Sequence, residues 1–206
     1  MTTELLLDHL TKQLRMPTMA KQYRSLAREA EERNLSYEEY LLALLEAEAQ
    51  SREENQKQRR LKQATFPVQK TLDTYDFSLM PSLNRNRLLT LAKGDFVEKK
   101  ENIILLGNSG TGKSHLATGI GIAMIQSGYK TRFITASELI EELLMANEEH
   151  KLTAFEKRWF KYDVIIIDEL GYVPFSKIGA ELLFQFFSSR YERASVIITT
   201  NLEFTE

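Results

Sequence analysis

No cysteine occurs among the 206 residues, which excludes disulfides, thiolate zinc sites and cysteine nucleophiles. Long apolar runs are missing too. Stretches such as Val164-Ile165-Ile166-Ile167 fall far short of the ~20 residues that span a bilayer. The N-terminus lacks a basic segment followed by an apolar one and a small-residue cleavage site, so no signal peptide is expected. These absences predict a cytoplasmic protein with no membrane partner. Nor is charge of one sign in excess: 27 basic and 29 acidic side chains leave a formal net charge of -2. Any nucleic-acid contact must therefore come from a local patch or from several subunits acting together.

Glycine is absent up to Ala64, and that stretch reads as helical. Leu6, Leu10 and Leu14 share a face until Pro17 breaks the pattern. A second helix is expected over Thr18 to Arg33. Ser36 with Glu39 forms a capping-box signature for a third. The end of that helix carries Arg52, Lys57, Arg59, Arg60 and Lys62, either as a solvated end whose cations suit the helix dipole or as a contact for DNA or a partner. Residues 1–64 are thus expected to be a helical partner- or DNA-binding domain, 65–81 a linker with Tyr75 and Phe77, and 82–206 a catalytic core. Ser82 is the expected cap of a short helix reaching Leu91, and Ser137 that of a helix over Glu138 to Asn147. A further helix, Thr153 to Lys161, should turn Phe155, Trp159 and Phe160 inward.

Where glycine does cluster, it falls in Gly107-Asn108-Ser109-Gly110-Thr111-Gly112-Lys113-Ser114, behind the apolar run Ile103–Leu106. This fits the phosphate-binding pattern G-x-x-x-x-G-K-[ST]. The glycines let the backbone turn tightly and aim successive N–H groups at phosphate oxygens. The helix beginning near Gly112 adds its positive end. Lys113 would reach the β- and γ-phosphates, and the Ser114 hydroxyl would bind Mg²⁺. The pattern predicts a nucleoside triphosphate site.

Val164–Ile167 then delivers Asp168 and Glu169 to the C-terminal end of a buried strand, where open α/β sheets bind ligands. Asp168 would act on Mg²⁺, and Glu169 would orient and deprotonate the attacking water. A carboxylate poised on water favours a hydrolase over a kinase, and no lid or acceptor site for a small-molecule kinase is readable. Strand Val196–Thr199 ends in Thr200-Asn201, making Asn201 the candidate γ-phosphate sensor and Thr200 the second choice. Runs of β-branched residues alternating with helices predict a parallel sheet. His9 and His150 have no partners at metal-ligand spacing.

Taken in this order, the motifs resemble AAA+ ATPases. Gly112-Lys113-Ser114-His115-Leu116-Ala117 and Ile167-Asp168-Glu169-Leu170-Gly171-Tyr172 resemble the clade of IstB-type transposition helpers and DnaC-type helicase loaders. The resemblance implies an α/β P-loop NTPase with a three-layer αβα core. It implies ATP held by Gly107 through His115, together with Mg²⁺, with His115 packing rather than catalysing; Tyr75 and Phe77 are the candidates for the adenine pocket. Lys113, Glu169 and Asn201 would be the catalytic set, and Ser114 and Asp168 the metal ligands. Double-stranded DNA, a transposase or alternatively a replicative helicase, and other copies of the chain in the ATP state are the implied partners. An ATP-binding scaffold with little hydrolysis is the remaining alternative. The family's fifth strand and arginine finger would lie beyond Glu206. The core is therefore expected to be truncated after strand four, a fragment or a naturally shortened relative, with weak hydrolysis. Ile103–Leu106 should pair with Val196–Thr199 and leave its other edge bare. Arg190 and Arg193 are left to face a neighbouring subunit.

Overall fold

The glycine-free stretch forms three helices, α1 (Thr3–Gln13), α2 (Pro17–Glu32) and α3 (Tyr37–Ala64), in a computed structural model that describes residues 3–79, 83–171 and 175–201. Pro17 occupies the first turn of α2, where its missing N–H has no acceptor to lose. The capping residue Met16 offers α2 no side-chain acceptor. Glu48 of α3 supplies one: its Oε2 accepts the N–H groups of Thr18 and Met19 at 2.8 and 3.0 Å. Arg52 holds the other oxygen at 2.9 Å. The Ser36–Glu39 capping box is formed in both directions, at 2.7 and 3.2 Å.

The chain divides into two compact units, Met1–Gln58 and Arg59–Glu206, with the boundary inside α3. The second unit continues through two 3₁₀ turns (Leu72–Thr74 and Phe77–Leu79), α4 (Arg85–Leu91) and α5 (Asp95–Glu98). It then alternates β1 (Ile103–Leu106), α6 (Lys113–Gln126), β2 (Thr131–Thr135), α7 (Ala136–Glu148), α8 (Leu152–Trp159), β3 (Val164–Leu170), α9 (Lys177–Arg190) and β4 (Ser195–Thr200). All strands are parallel, in the order β1-β4-β3-β2. Successive parallel strands are linked by helical crossovers, as parallel pairing requires.

The buried runs explain the layers. Along β3, Val164 and Ile166 face a core with Leu116, Ile120 and Met124 of α6. Ile165 and Ile167 face the opposite core, with Leu139 and Leu143 of α7 and Phe186 of α9. All four strand residues are fully buried, each stabilising by roughly 1.5–3 kcal/mol. The end of α3 and the residue after it are tied to β2: Arg132 Nη1 donates to Gln63 O at 2.9 Å, and Thr65 Oγ1 donates to Phe133 O at 3.0 Å.

Several local expectations change. Thr135, one residue before α7, makes the capping box with Glu138, leaving Ser137 inside the helix. Asn84 caps α4 through Arg87 N; the expected cap, Ser82, lies outside the described residues. Phe160 is 37% exposed because α8 ends at Trp159, before it can turn inward. β1 pairs with β4 in the register Ile103↔Ile197 to Leu106↔Thr200, and among the described residues no strand covers its other edge. Ile104 and Leu106 are accordingly 50% and 43% exposed.

Candidate functional site

β1 runs into a loop that only glycine can close. Gly110 and Gly112 have φ of +80° and +82°, a region that side chains disfavour. At Gly112 a Cβ would also lie 2.8 Å from Cε2 of Tyr75. Gly112 caps α6, so the helix's unpaired N–H groups and positive end open onto the loop. Lys113 folds back over it, Nζ donating to Gly107 O at 2.7 Å and Asn108 O at 2.8 Å. Thr111 Oγ1 donates to Asn108 O at 2.9 Å. An ammonium therefore sits against a ring of backbone dipoles.

The tips of β3 and β4 close the other side. Ser114 Oγ donates to Asp168 Oδ1 at 2.9 Å, and the buried Thr199 hydroxyl donates to the same oxygen. Glu169 is exposed at a register irregularity in β3, between Ile167 and Leu170. Its φ is +62°. Such bulges re-aim side chains beside sites. Asn201 is exposed just past β4. A cavity of about 280 Å³ joins Ser109, Lys113, Ser114, Glu169 and Asn201, with Lys70 on its rim.

The residues fit the Mg²⁺ that the pattern implies. Among the described residues no group of three or more His, Asp or Glu could hold a metal alone. Mg²⁺ suits such a site, because it takes one or two protein oxygens and completes its shell with water and phosphate. The convergence of the Ser114 hydroxyl and the Asp168 carboxylate supplies those oxygens.

Three placements went beyond the sequence or against it. Thr199 was not singled out, because its role depends on strand register. Tyr75 and Phe77 were candidates for a base pocket. The Tyr75 ring is instead buried against Gly112 and lies edge-on to His115 at 5.2 Å, while its hydroxyl donates to Thr111 O at 3.2 Å. His115 Nε2 lies 2.9 Å from Thr71 O and 3.2 Å from Thr74 Oγ1, so it braces the same segment while lining the cavity. Arg190 is buried, with its guanidinium donating to Trp159 O at 3.0 Å and Tyr162 O at 2.9 Å. Burial pulls its pKa down to about 10, with Asp163 acting in the opposite direction. It is committed to the core and does not face a neighbouring subunit.

A P-loop between β1 and α6, with acids at the end of a parallel strand, defines an AAA+ type P-loop NTPase fold. Solved structures share it. The AMPPCP-bound DnaA from Aquifex aeolicus matches with a TM-score of 0.56 at 16% identity, over 66% of this chain and 43% of its own. The DnaC helicase loader matches with a TM-score of 0.52 at 25% identity, over 66% of this chain and 79% of its own. Within that class, the chain belongs to the IstB-like ATP binding protein family, which matches residues 9–206. It is 42% identical over 193 residues to the insertion sequence IS5376 ATP-binding protein of Geobacillus stearothermophilus, covering 94% of this chain and 77% of that one. It is 36% identical over 200 residues to the IS21 counterpart of Pseudomonas aeruginosa, covering 97% and 76%.

Proposed function

We propose that this chain is an ATP-dependent DNA-binding helper of a transposase, in which ATP binding drives oligomerisation on DNA and hydrolysis drives release. The observation that carries the reading is the meeting of Lys113, Ser114 and Glu169 around one cavity, with Asp168 bonded to Ser114 behind it. Lys113 would exchange its loop carbonyls for the β- and γ-phosphates. Ser114 and Asp168 would hold Mg²⁺, whose charge offsets that of the triphosphate. Glu169 would take the proton of the attacking water, with Asn201 contacting the γ-phosphate. Insertion-sequence relatives along nearly the whole chain support the transposition role.

The N-terminal helices (residues 1–64) would choose the partner, joined by the 65–81 segment to the ATPase core. Two of the five expected cations at the end of α3 are already neutralised, Arg52 by Glu48 and Lys57 by Glu53. Arg59 and Lys62 are exposed and have no ion pair among the described residues. They are the better candidates for a DNA-backbone contact.

Size-exclusion chromatography with and without ATP·Mg²⁺ and duplex DNA tests the proposal. The expected result is a large species that requires both and that dissolves steeply with added salt. DNA binding indifferent to nucleotide would contradict it. The likeness to a helicase loader supports a second reading, delivery of a replicative helicase. Capture of a helicase rather than a transposase by the full chain would favour that reading.

A further inference from the structure

We propose that Thr199 is a positioning residue for the Asp168–Glu169 pair, its one hydroxyl orienting the carboxylate and holding the backbone that aims the base. The inference rests on the reading of this cavity as an ATP·Mg²⁺ site. It starts from register. Ile167 of β3 stands opposite Ile198 of β4, and Leu170 stands opposite Thr200. Two residues of β3, Asp168 and Glu169, therefore face the single Thr199. That is the count of a β-bulge, which leaves a ladder group without its usual partner.

Thr199 supplies the partner. A hydroxyl has one proton and two lone pairs. Here the proton goes to Asp168 Oδ1, and a lone pair accepts the Glu169 N–H at 3.0 Å. Thr199 is 1% exposed, so water does not compete for either bond. Its branched Cβ limits the rotamers open to it. Glu169, at φ +62°, holds a backbone conformation that non-glycine residues seldom adopt. The bond to Thr199 is what pins it there. On the far side of the bulge, Thr200 Oγ1 donates to Leu170 O at 2.7 Å. Thr199 thus serves the carboxylate and the base together, while Thr200 holds the chain beyond them.

Removing the hydroxyl frees Asp168 Oδ1 from one of its two donors and lets Glu169 relax toward negative φ. The P-loop, on the other side of the cavity, keeps its own bonds. The effect should fall on Mg²⁺ and on water activation rather than on nucleotide binding as such. Thr199→Val preserves shape and removes the hydroxyl; Thr199→Ser preserves the hydroxyl. ATP affinity is measured with Mg²⁺ and with EDTA, alongside turnover and thermal unfolding of each full-length protein.

The expected result for Thr199→Val is a loss of about 10- to 100-fold in the Mg²⁺-dependent gain in affinity or in turnover, as for other residues that orient metal ligands. Affinity in EDTA should stay within about twofold of the parent, as for a group outside ground-state nucleotide binding. Thr199→Ser should restore both. Should valine crowd β3 and lower the unfolding temperature, Thr199→Ala gives the same reading without the bulk. A Thr199→Val protein with the parent's Mg²⁺ gain and turnover overturns the inference, as does a Thr199→Ser protein as defective as the valine variant. A parent that binds no ATP under either condition overturns the underlying site reading and the inference with it.

Discussion

Glu169 shows how one residue's chemistry depends on its backbone. Exposed beside the cavity and held at φ +62°, it carries its carboxylate on a bulge rather than on a regular strand. Glu169→Gln keeps size and hydrogen bonding but removes the carboxylate proposed as the base. Phosphate release should fall by about 10²–10⁴-fold while ATP still binds, so that ATP-dependent assemblies accumulate. Hydrolysis at the parent's rate would assign the base elsewhere. The loop residues Gly107 to Ser114 were legible in the sequence because each has a local reason: a turn, a positive φ, a helix start. Thr199 was not, because a cross-strand hydroxyl bond becomes visible only once the bulge sets the register. Arg190 was misread for a related reason. Nothing local shows that the cation at the end of α9 is drawn into the core by the carbonyls of Trp159 and Tyr162.

At the scale of elements, α6 and the segment before α4 fit each other through glycines. A Cβ on Gly119 would meet Leu72 Cδ2 at 2.6 Å and the Leu72 backbone nitrogen at 3.1 Å. Alanine normally favours a helix by about 1 kcal/mol over glycine, but overpacking against backbone costs about 1–3 kcal/mol. Gly119→Ala should therefore lower the unfolding temperature and, by displacing Leu72 and with it Tyr75, weaken ATP binding. An unfolding temperature at or above the parent's would refute this. That segment was expected to be a linker bearing Tyr75 and Phe77. Its contacts with the P-loop helix were hidden because they pair residues some 40–50 positions apart. The Ser36–Glu39 box was legible because both partners sit within one turn.

Glu48 supplies a pH-dependent element in the N-terminal unit. Burial pushes its pKa up, but the N–H of Met19, the guanidinium of Arg52 and the N–H of Thr18 together hold it below the ordinary 4.5. Its contribution is thus fully present above the unfolded value and is lost as pH falls through the lower folded one. Glu48→Gln should be less stable by about 1–3 kcal/mol at neutral pH and should lack that acid-dependent loss in circular dichroism. Equal stability at neutral pH would mean that α2 does not depend on this cap.

For the whole molecule, the parallel sheet was legible because β-branched runs buried on both faces alternate with helices, whereas the three layers and the β1–β4 pairing were expectations drawn from the family resemblance. Among the described residues β1 keeps one unpaired edge. Ile104 borders a cavity of about 400 Å³ with Phe187, Tyr191, Val196 and Ile198, and an apolar edge invites pairing with another chain. Light scattering at high protein concentration without nucleotide should show weak pairing of the parent, distinct from the large species that needs ATP and DNA, and weakened about tenfold by Ile104→Lys, a change near 1.4 kcal/mol. Association unchanged in that variant would place the contact elsewhere. Function, however, rests on the nucleotide. Calorimetric titration of ATP·Mg²⁺ into the parent and into Lys113→Ala tests that most directly. The account predicts saturable binding of one nucleotide per chain in the parent and its abolition or strong loss when the Lys113 ammonium is removed. Equal affinity in the two proteins, or no binding by the parent, would contradict it.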